Sequence, residues 1–114
     1  RSFFHCHCGR CRKSTGTGHA SNIILKPESA EWISGQELLS TFKVPDAERF
    51  RTVFCSKCGN PMPRVAPDLS VAVIPAGSLD SPPPLAPTDH IMWASRSDWS
   101  CVAVDIPTWP RYPE

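Results

Sequence analysis

Three thiols within six residues mark the stretch of this chain that is best equipped for chemistry. Cys6, Cys8 and Cys11 stand among one imidazole and three cations: His7, Arg10, Arg12 and Lys13. A second thiol pair, Cys55 and Cys58, lies far along the chain. Cysteines at one- and two-residue spacing can turn several sulfurs toward one point, as a zinc ion requires. The two clusters therefore predict metal binding, and the rest of the chain must position them.

The distribution of the six cysteines favours metal over disulfides. Five of them fall in the two clusters, and neighbours as close as Cys6 and Cys8 seldom bridge each other. Because zinc held by thiolates requires a reducing compartment, we expect a cytoplasmic protein. The remaining Cys101 is followed by the apolar residues 102–104, so it is predicted to be a small buried apolar residue.

Length and composition predict a single zinc-binding domain over residues 1–114. Apolar residues make up 40% of the chain and charged residues 20%, which is ordinary globular usage. The net charge is only +1 and no run of five like charges exists, so no concentrated surface for nucleic acid is expected. No apolar run approaches the ~20 residues of a membrane-spanning helix, and no leader sequence is visible.

The apolar pattern predicts a mainly β fold of short antiparallel strands joined by proline-rich loops. Thirteen prolines disfavour long helices. Strands are predicted at four places, residues 19–25, 49–55, 64–66 and 69–74, of which the last two form a hairpin. Residues 36–44 fit a helix or a strand, and the strand is preferred because the neighbouring segments are strands. Residues 14–18 are predicted to form a turn, and residues 75–87 an extended loop.

Spacing alone leaves two metal arrangements open. In a zinc ribbon, one tetrahedral structural site would use Cys8, Cys11, Cys55 and Cys58 and would leave Cys6 without a role. In the alternative, Cys6, Cys8 and Cys11 form a site with an open fourth position, which is typical of catalytic zinc. Cys55 and Cys58 then need further ligands, either from before residue 1 or from candidates within the chain: Cys101, His5, His7, His19 and His90.

The order of four motifs resembles the glutathione-dependent formaldehyde-activating enzyme family. The first motif covers residues 6–16, including Thr15-Gly16, and the second is the segment 54–59. The third is the segment 76–80, and the fourth combines Pro87, His90 and Ile91 with Trp99. The paired cysteine motifs carry most of the specificity, and the ordered set covers nearly the whole chain.

This resemblance implies a β-tent fold that holds two zinc ions. The catalytic zinc would be bound by Cys6, Cys8 and Cys11. The structural zinc would be bound by Cys55 and Cys58 together with an upstream Cys-x-Cys pair. Since only five residues precede Cys6 here, we expect that an N-terminal segment is missing from the sequence.

The activity implied by the resemblance is that of a zinc-dependent carbon–sulfur lyase. Its substrate would be an adduct of glutathione, or a related thiol, with formaldehyde or another small aldehyde. Arg10, Arg12 and Lys13 would offset the charge of the thiolates or bind substrate carboxylates, unless they are simply solvated. The opposing interpretation is a non-catalytic structural zinc module of the ribbon type.

The roles of the histidines and tryptophans are less determined by the sequence. If side chains alternate along an extended segment, His7 faces away from a metal held by its neighbours. His90 is a candidate substrate-binding residue, with a hydrogen-bonded loop anchor as the alternative. The four tryptophans are predicted to lie in the core or to form a lid.

Overall fold

The computed structural model describes residues 1–102 and 105–113. In these ranges strands predominate, so the prediction of a mainly β fold is confirmed. The strands are β1 (Ser2–Cys6), β2 (Ala20–Leu25), β3 (Leu39–Lys43), β4 (Arg51–Cys55), β5 (Arg64–Val65), β6 (Ala72–Pro75) and β7 (Asp89–Ile91). The helical segments are α1 (Gly9–Thr15) and three short 3₁₀ turns, Gln36–Leu38, Ala76–Ser78 and Trp93–Ser95. In the same ranges no helix has the length and apolar character needed to cross a membrane.

The strands form two sheets. One has five strands in the order β5-β6-β2-β1-β7, and the other is the β3–β4 pair. Neighbouring strands are antiparallel except β1 and β7, which run parallel and place His5 opposite His90. The predicted hairpin is confirmed as β5 and β6. The parallel pairing of β1 and β7 joins segments more than 80 residues apart, and it is what brings His90 beside His5.

The small core lies on one face of the larger sheet. Phe3 and Ile23 are register partners on β1 and β2, and they are 6% and 3% exposed. Side chains alternate along a strand, so His5 shares the face of Phe3 while Cys6 lies on the opposite face. Strand β1 therefore directs the His5 imidazole and the Cys6 thiol to opposite faces of the sheet.

The tryptophans do not build this core. Trp99 is 66% exposed, Trp93 and Trp109 are also exposed, and Trp32 is only half-buried. The part of the prediction that placed them in the core is wrong. Among the described residues, the buried apolar set instead combines Phe3, Cys11 and Ile23 with three alanines, Ala20, Ala47 and Ala72.

The helix α1 was not predicted from the sequence. The Sγ of Cys8 accepts a hydrogen bond from the Cys11 N–H at the first turn, which satisfies a backbone donor that helices otherwise leave open. Gly16 ends the helix with a φ of 70°, a conformation that glycine adopts without steric cost. The predicted turn at residues 14–18 is therefore correct only after Thr15. Residues 36–44 begin as a 3₁₀ turn and continue as β3.

Gly18 is a position where a side chain would disturb the fold. It is buried against residues 99 and 100, and an added Cβ would lie 2.8 Å from the Cβ of Ser100. We expect Gly18→Ala to lower the free energy of unfolding by about 1–3 kcal/mol, the usual cost of overpacking. Gly77→Ala is the control, because nothing lies within 4 Å of its added Cβ. Equal urea midpoints for the two variants would contradict the packing of residues 99–100 on Gly18.

Candidate metal centre and cleft

The sulfurs of Cys6, Cys8 and Cys11 come together in a group that we call the thiol cluster. They lie within 4.8 Å of one another. Cys6 ends β1, Cys8 caps α1, and Cys11 is buried in the first turns of that helix. The strand-to-helix connection thus brings these three thiols to one point, which is the second of the two arrangements that spacing left open.

The thiols of the cluster differ in acidity. Burial raises the pKa of Cys8, but hydrogen bonds from the Cys11 N–H and from the thiols of Cys11 and Cys6 lower it, and the net direction is down. Burial raises the pKa of Cys11, and its hydrogen bonds to Cys8 and Cys6 raise it further. Without a metal, negative charge is therefore favoured on Cys8, while Cys11 keeps its proton.

This donor set fits a zinc ion. Zn–S bonds of about 2.3 Å in a tetrahedron place sulfurs about 3.8 Å apart, which the thiol cluster can reach with small side-chain rotations. Because thiolates are the binding form, a metal would displace the Cys11 proton on binding. In the described part of the chain, Cys8 and Cys11 group with Cys6 and not with Cys55 and Cys58, so the single ribbon site is not formed.

The second cysteine motif forms the expected turn at the end of β4. Backbone N–H groups of Cys58 and Lys57 lower the pKa of Cys55, and the thiol of Cys58 acts in the same direction. The Gly59 N–H donates to the Cys55 carbonyl at 2.7 Å, and its φ of 76° suits glycine. Backbone N–H groups directed at the sulfur stabilise the thiolate, which is the form that binds metal. Among the described residues, no third ligand joins this pair.

A large cleft of about 1590 Å³ opens beside the thiol cluster. Its lining includes four residues around helix α1, namely Cys8, Arg10, Cys11 and Lys13. It also includes residues of β3 and β4 and residues 59–62. Arg10 and Lys13 are exposed, so both cations are free to meet a ligand in solution. The Arg10 guanidinium makes one long contact, 3.4 Å, with the Asp46 carbonyl.

The other two candidates for substrate binding lie elsewhere. Arg12 is half-buried, and its Nε has no hydrogen-bond partner. His90 Nδ1 lies 2.8 Å from His7 Nε2, in hydrogen-bonding contact. Among the described residues, Arg12 and His90 do not line the cleft. The hydrogen bond matches the anchor role considered for His90, and its role in substrate binding stays a prediction.

All four histidines of the chain meet in what we call the histidine cluster, His5, His7, His19 and His90. Their ring centroids are 4.1–6.4 Å apart, and Ser21 Oγ bridges His5 and His19 at 3.0 and 3.2 Å. His7 is completely buried, with the Trp93 ring 4.9 Å away. The sequence offered one signal for this cluster, since alternation places His5 and His7 on the same face.

Burial and crowding favour the neutral form of three of these imidazoles. Burial lowers the pKa of His5, His7 and His19, and the neighbouring imidazoles lower it further. Arg96 also lowers the pKa of His7, while a backbone contact with Gly18 raises it. Neutral imidazole is the form that has a lone pair available as a hydrogen-bond acceptor or ligand.

The prediction for Cys101 is wrong. The residue is exposed rather than buried, and its Sγ lies within 4.8 Å of a ring nitrogen of both His7 and His90. Val102 is exposed as well, and residues 103 and 104 of the apolar run lie outside the described ranges. Every described residue after Ser100 is exposed, so the described part of this segment does not bury Cys101.

The fold and the thiol cluster together define a small, mainly β protein with a candidate metal centre beside a cleft. The family model described as "Glutathione-dependent formaldehyde-activating enzyme" matches residues 1–95. The chain belongs to this family, as the ordered motifs indicated. Searches of curated proteins and of solved structures found no match.

Proposed function

We propose that this protein is a zinc-dependent carbon–sulfur lyase for adducts of glutathione, or a related thiol, with formaldehyde or another small aldehyde. The observation that carries the proposal is the convergence of the Cys6, Cys8 and Cys11 sulfurs beside the cleft. The family match supports the same substrate class.

The thiol cluster would hold the catalytic zinc and leave one coordination position open. When bound, zinc would lower the pKa of a substrate thiol and keep it ionised at neutral pH. In the forward direction the sulfur of the thiol adds to the aldehyde carbon, and the carbonyl oxygen takes up a proton. The product is a hemithioacetal, and cleavage reverses these steps.

The cations beside the cluster would position the substrate. Arg10 and Lys13 line the cleft and can pair with the carboxylates of glutathione. Arg12, with its buried Nε, would mainly offset the negative charge of three thiolates. A cleft of this size exceeds typical small-molecule pockets of about 300–1,000 Å³, so a tripeptide thiol fits.

The second cysteine pair and the setting of the enzyme complete the proposal. Cys55 and Cys58 would bind a structural zinc whose other ligands come from outside the described residues. With the catalytic zinc of the thiol cluster, the protein with all its ligands would then bind two zinc ions. A protein that uses thiolates in this way works in a reducing compartment, and we propose the cytoplasm. The described cysteines are all unbridged, as that setting requires.

Metal removal tests the proposal. We expect the zinc-loaded protein to accelerate exchange between ¹³C-formaldehyde and its glutathione adduct, measured by NMR exchange spectroscopy. A chelator should abolish the acceleration, and added zinc should restore it. If the protein binds zinc firmly but never accelerates exchange, it is a non-catalytic zinc module and the proposal fails.

A further inference from the structure

A second group of metal ligands comes together on the other face of β1. We propose that His7, His90 and Cys101 form a metal site for a divalent cation of the zinc class. A ring nitrogen of each histidine and the Cys101 Sγ lie within 4.8 Å of one another. Two imidazoles and one thiolate are a set that zinc accepts, with a fourth position left open. This inference does not depend on the proposed lyase activity.

The two imidazoles are already close to the spacing that a metal needs. His7 Nε2 and His90 Nδ1 lie 2.8 Å apart and share one proton. Zn–N bonds of about 2.0–2.1 Å at a tetrahedral angle separate the two nitrogens by about 3.3 Å. The rings need to open by only about half an ångström. The proton between them would move to the other nitrogen of its own ring, so that both histidines bind as neutral imidazoles.

The surroundings of His7 suit a ligand that is held in one orientation. The side chain is completely buried, and its Nδ1 makes no hydrogen bond of good geometry. The polar contact of this ring is made by its other nitrogen, Nε2, with His90 Nδ1. The nitrogen that faces His90 is therefore the one placed to bind a metal.

Cys101 is held at the site by the packing of its own segment. Ser100 is buried against Gly18, where an added Cβ would collide with it. Cys101 itself has a φ of 60°, a conformation that residues other than glycine seldom adopt. The thiol and His90 are both exposed, so a metal can enter from solvent and the fourth position faces water.

The proposed site is separate from the thiol cluster. The two groups share no residue, and strand alternation places Cys6 on the face of β1 opposite His5. Each site should therefore load independently. Substitution in one should leave the zinc content of the other unchanged, and this independence makes the inference testable.

The test is zinc protection of Cys101 from alkylation, followed by mass spectrometry of peptides. Zinc alone should slow alkylation of Cys101 in the natural chain. In His90→Gln the protection should require about 10- to 100-fold more zinc, since even loss of an outer-shell partner weakens metal binding by this factor. His19→Gln is the matched control, because His19 belongs to the histidine cluster but not to the ligand group.

A second measurement keeps the inference falsifiable if a histidine variant unfolds. Cys101→Ser changes an exposed side chain, so the fold should persist while the zinc content falls by one equivalent per chain. Unchanged zinc content in Cys101→Ser would overturn the site. Alkylation of Cys101 that is equally fast with and without zinc, or equal loss of protection in His19→Gln and His90→Gln, would overturn it as well.

Discussion

Replacing Cys6 with serine is expected to empty the thiol cluster of zinc and abolish the thiol–aldehyde activity. Serine keeps the volume of cysteine, but its hydroxyl does not ionise near neutral pH, so two thiolates would remain. We expect the zinc affinity of the cluster to fall by more than about 100-fold, beyond the loss usual for an outer-shell partner. Zinc titration and the formaldehyde exchange assay measure the two effects.

The control for this variant lies on the same strand and the same face. Ser2→Ala removes one oxygen from β1 four residues before Cys6, far from the cluster in register. It should retain zinc and activity. If Cys6→Ser retains both as well, the thiol cluster is not the catalytic centre, and a site built from Cys8 and Cys11 alone would have to be considered.

Phe3→Ala is expected to cause the largest loss of stability, about 3–5 kcal/mol in the free energy of unfolding. Phe3 is 6% exposed and packs in a core with few other large side chains. Domains of this kind are stable by only about 5–15 kcal/mol, so this loss approaches the whole margin. Urea denaturation under saturating zinc measures it, with the metal content held equal in all samples.

Phe42→Ala is the matched control for the core. Phe42 lies on β3 and is 54% exposed, so its loss should change stability by less than about 1 kcal/mol. The same large loss in both variants would mean that Phe42 is covered in solution. Equal small losses would place the core somewhere other than the face of β1 that carries Phe3.

Local patterns in the sequence predicted five of the seven described strands and the second cysteine turn, but not β1 or β7. The alternation of residues 49–55 and the following Cys-x-x-Cys-Gly motif give β4 and its turn, because period-two alternation and a glycine with positive φ are local properties. Helix α1 was missed for the opposite reason. Its first turn depends on a thiol acting as the capping acceptor, a role that cysteine plays less often than serine or aspartate.

Cys101 shows the limit of local patterns most clearly. Its apolar neighbours predicted burial, but burial is decided by what packs over a segment, and every described residue after Ser100 is exposed. Likewise, no local rule brings His90 to His5. That pairing follows from the parallel register of β1 and β7, which joins segments far apart in the chain.

The sequence by itself indicated the family, but spacing alone left open whether Cys8 and Cys11 group with Cys6 or with Cys55 and Cys58. Ligands close in sequence can meet through one tight connection, but their spacing does not decide which further ligand joins them. Tertiary structure alone decided which groups from other parts of the chain lie near each face of β1. It placed the thiol cluster beside a cleft, and it assembled four histidines and one cysteine from five separate positions, of which only His19 also lines the cleft. Such sites arise from strand order and register, which depend on long-range packing that no short stretch of residues encodes.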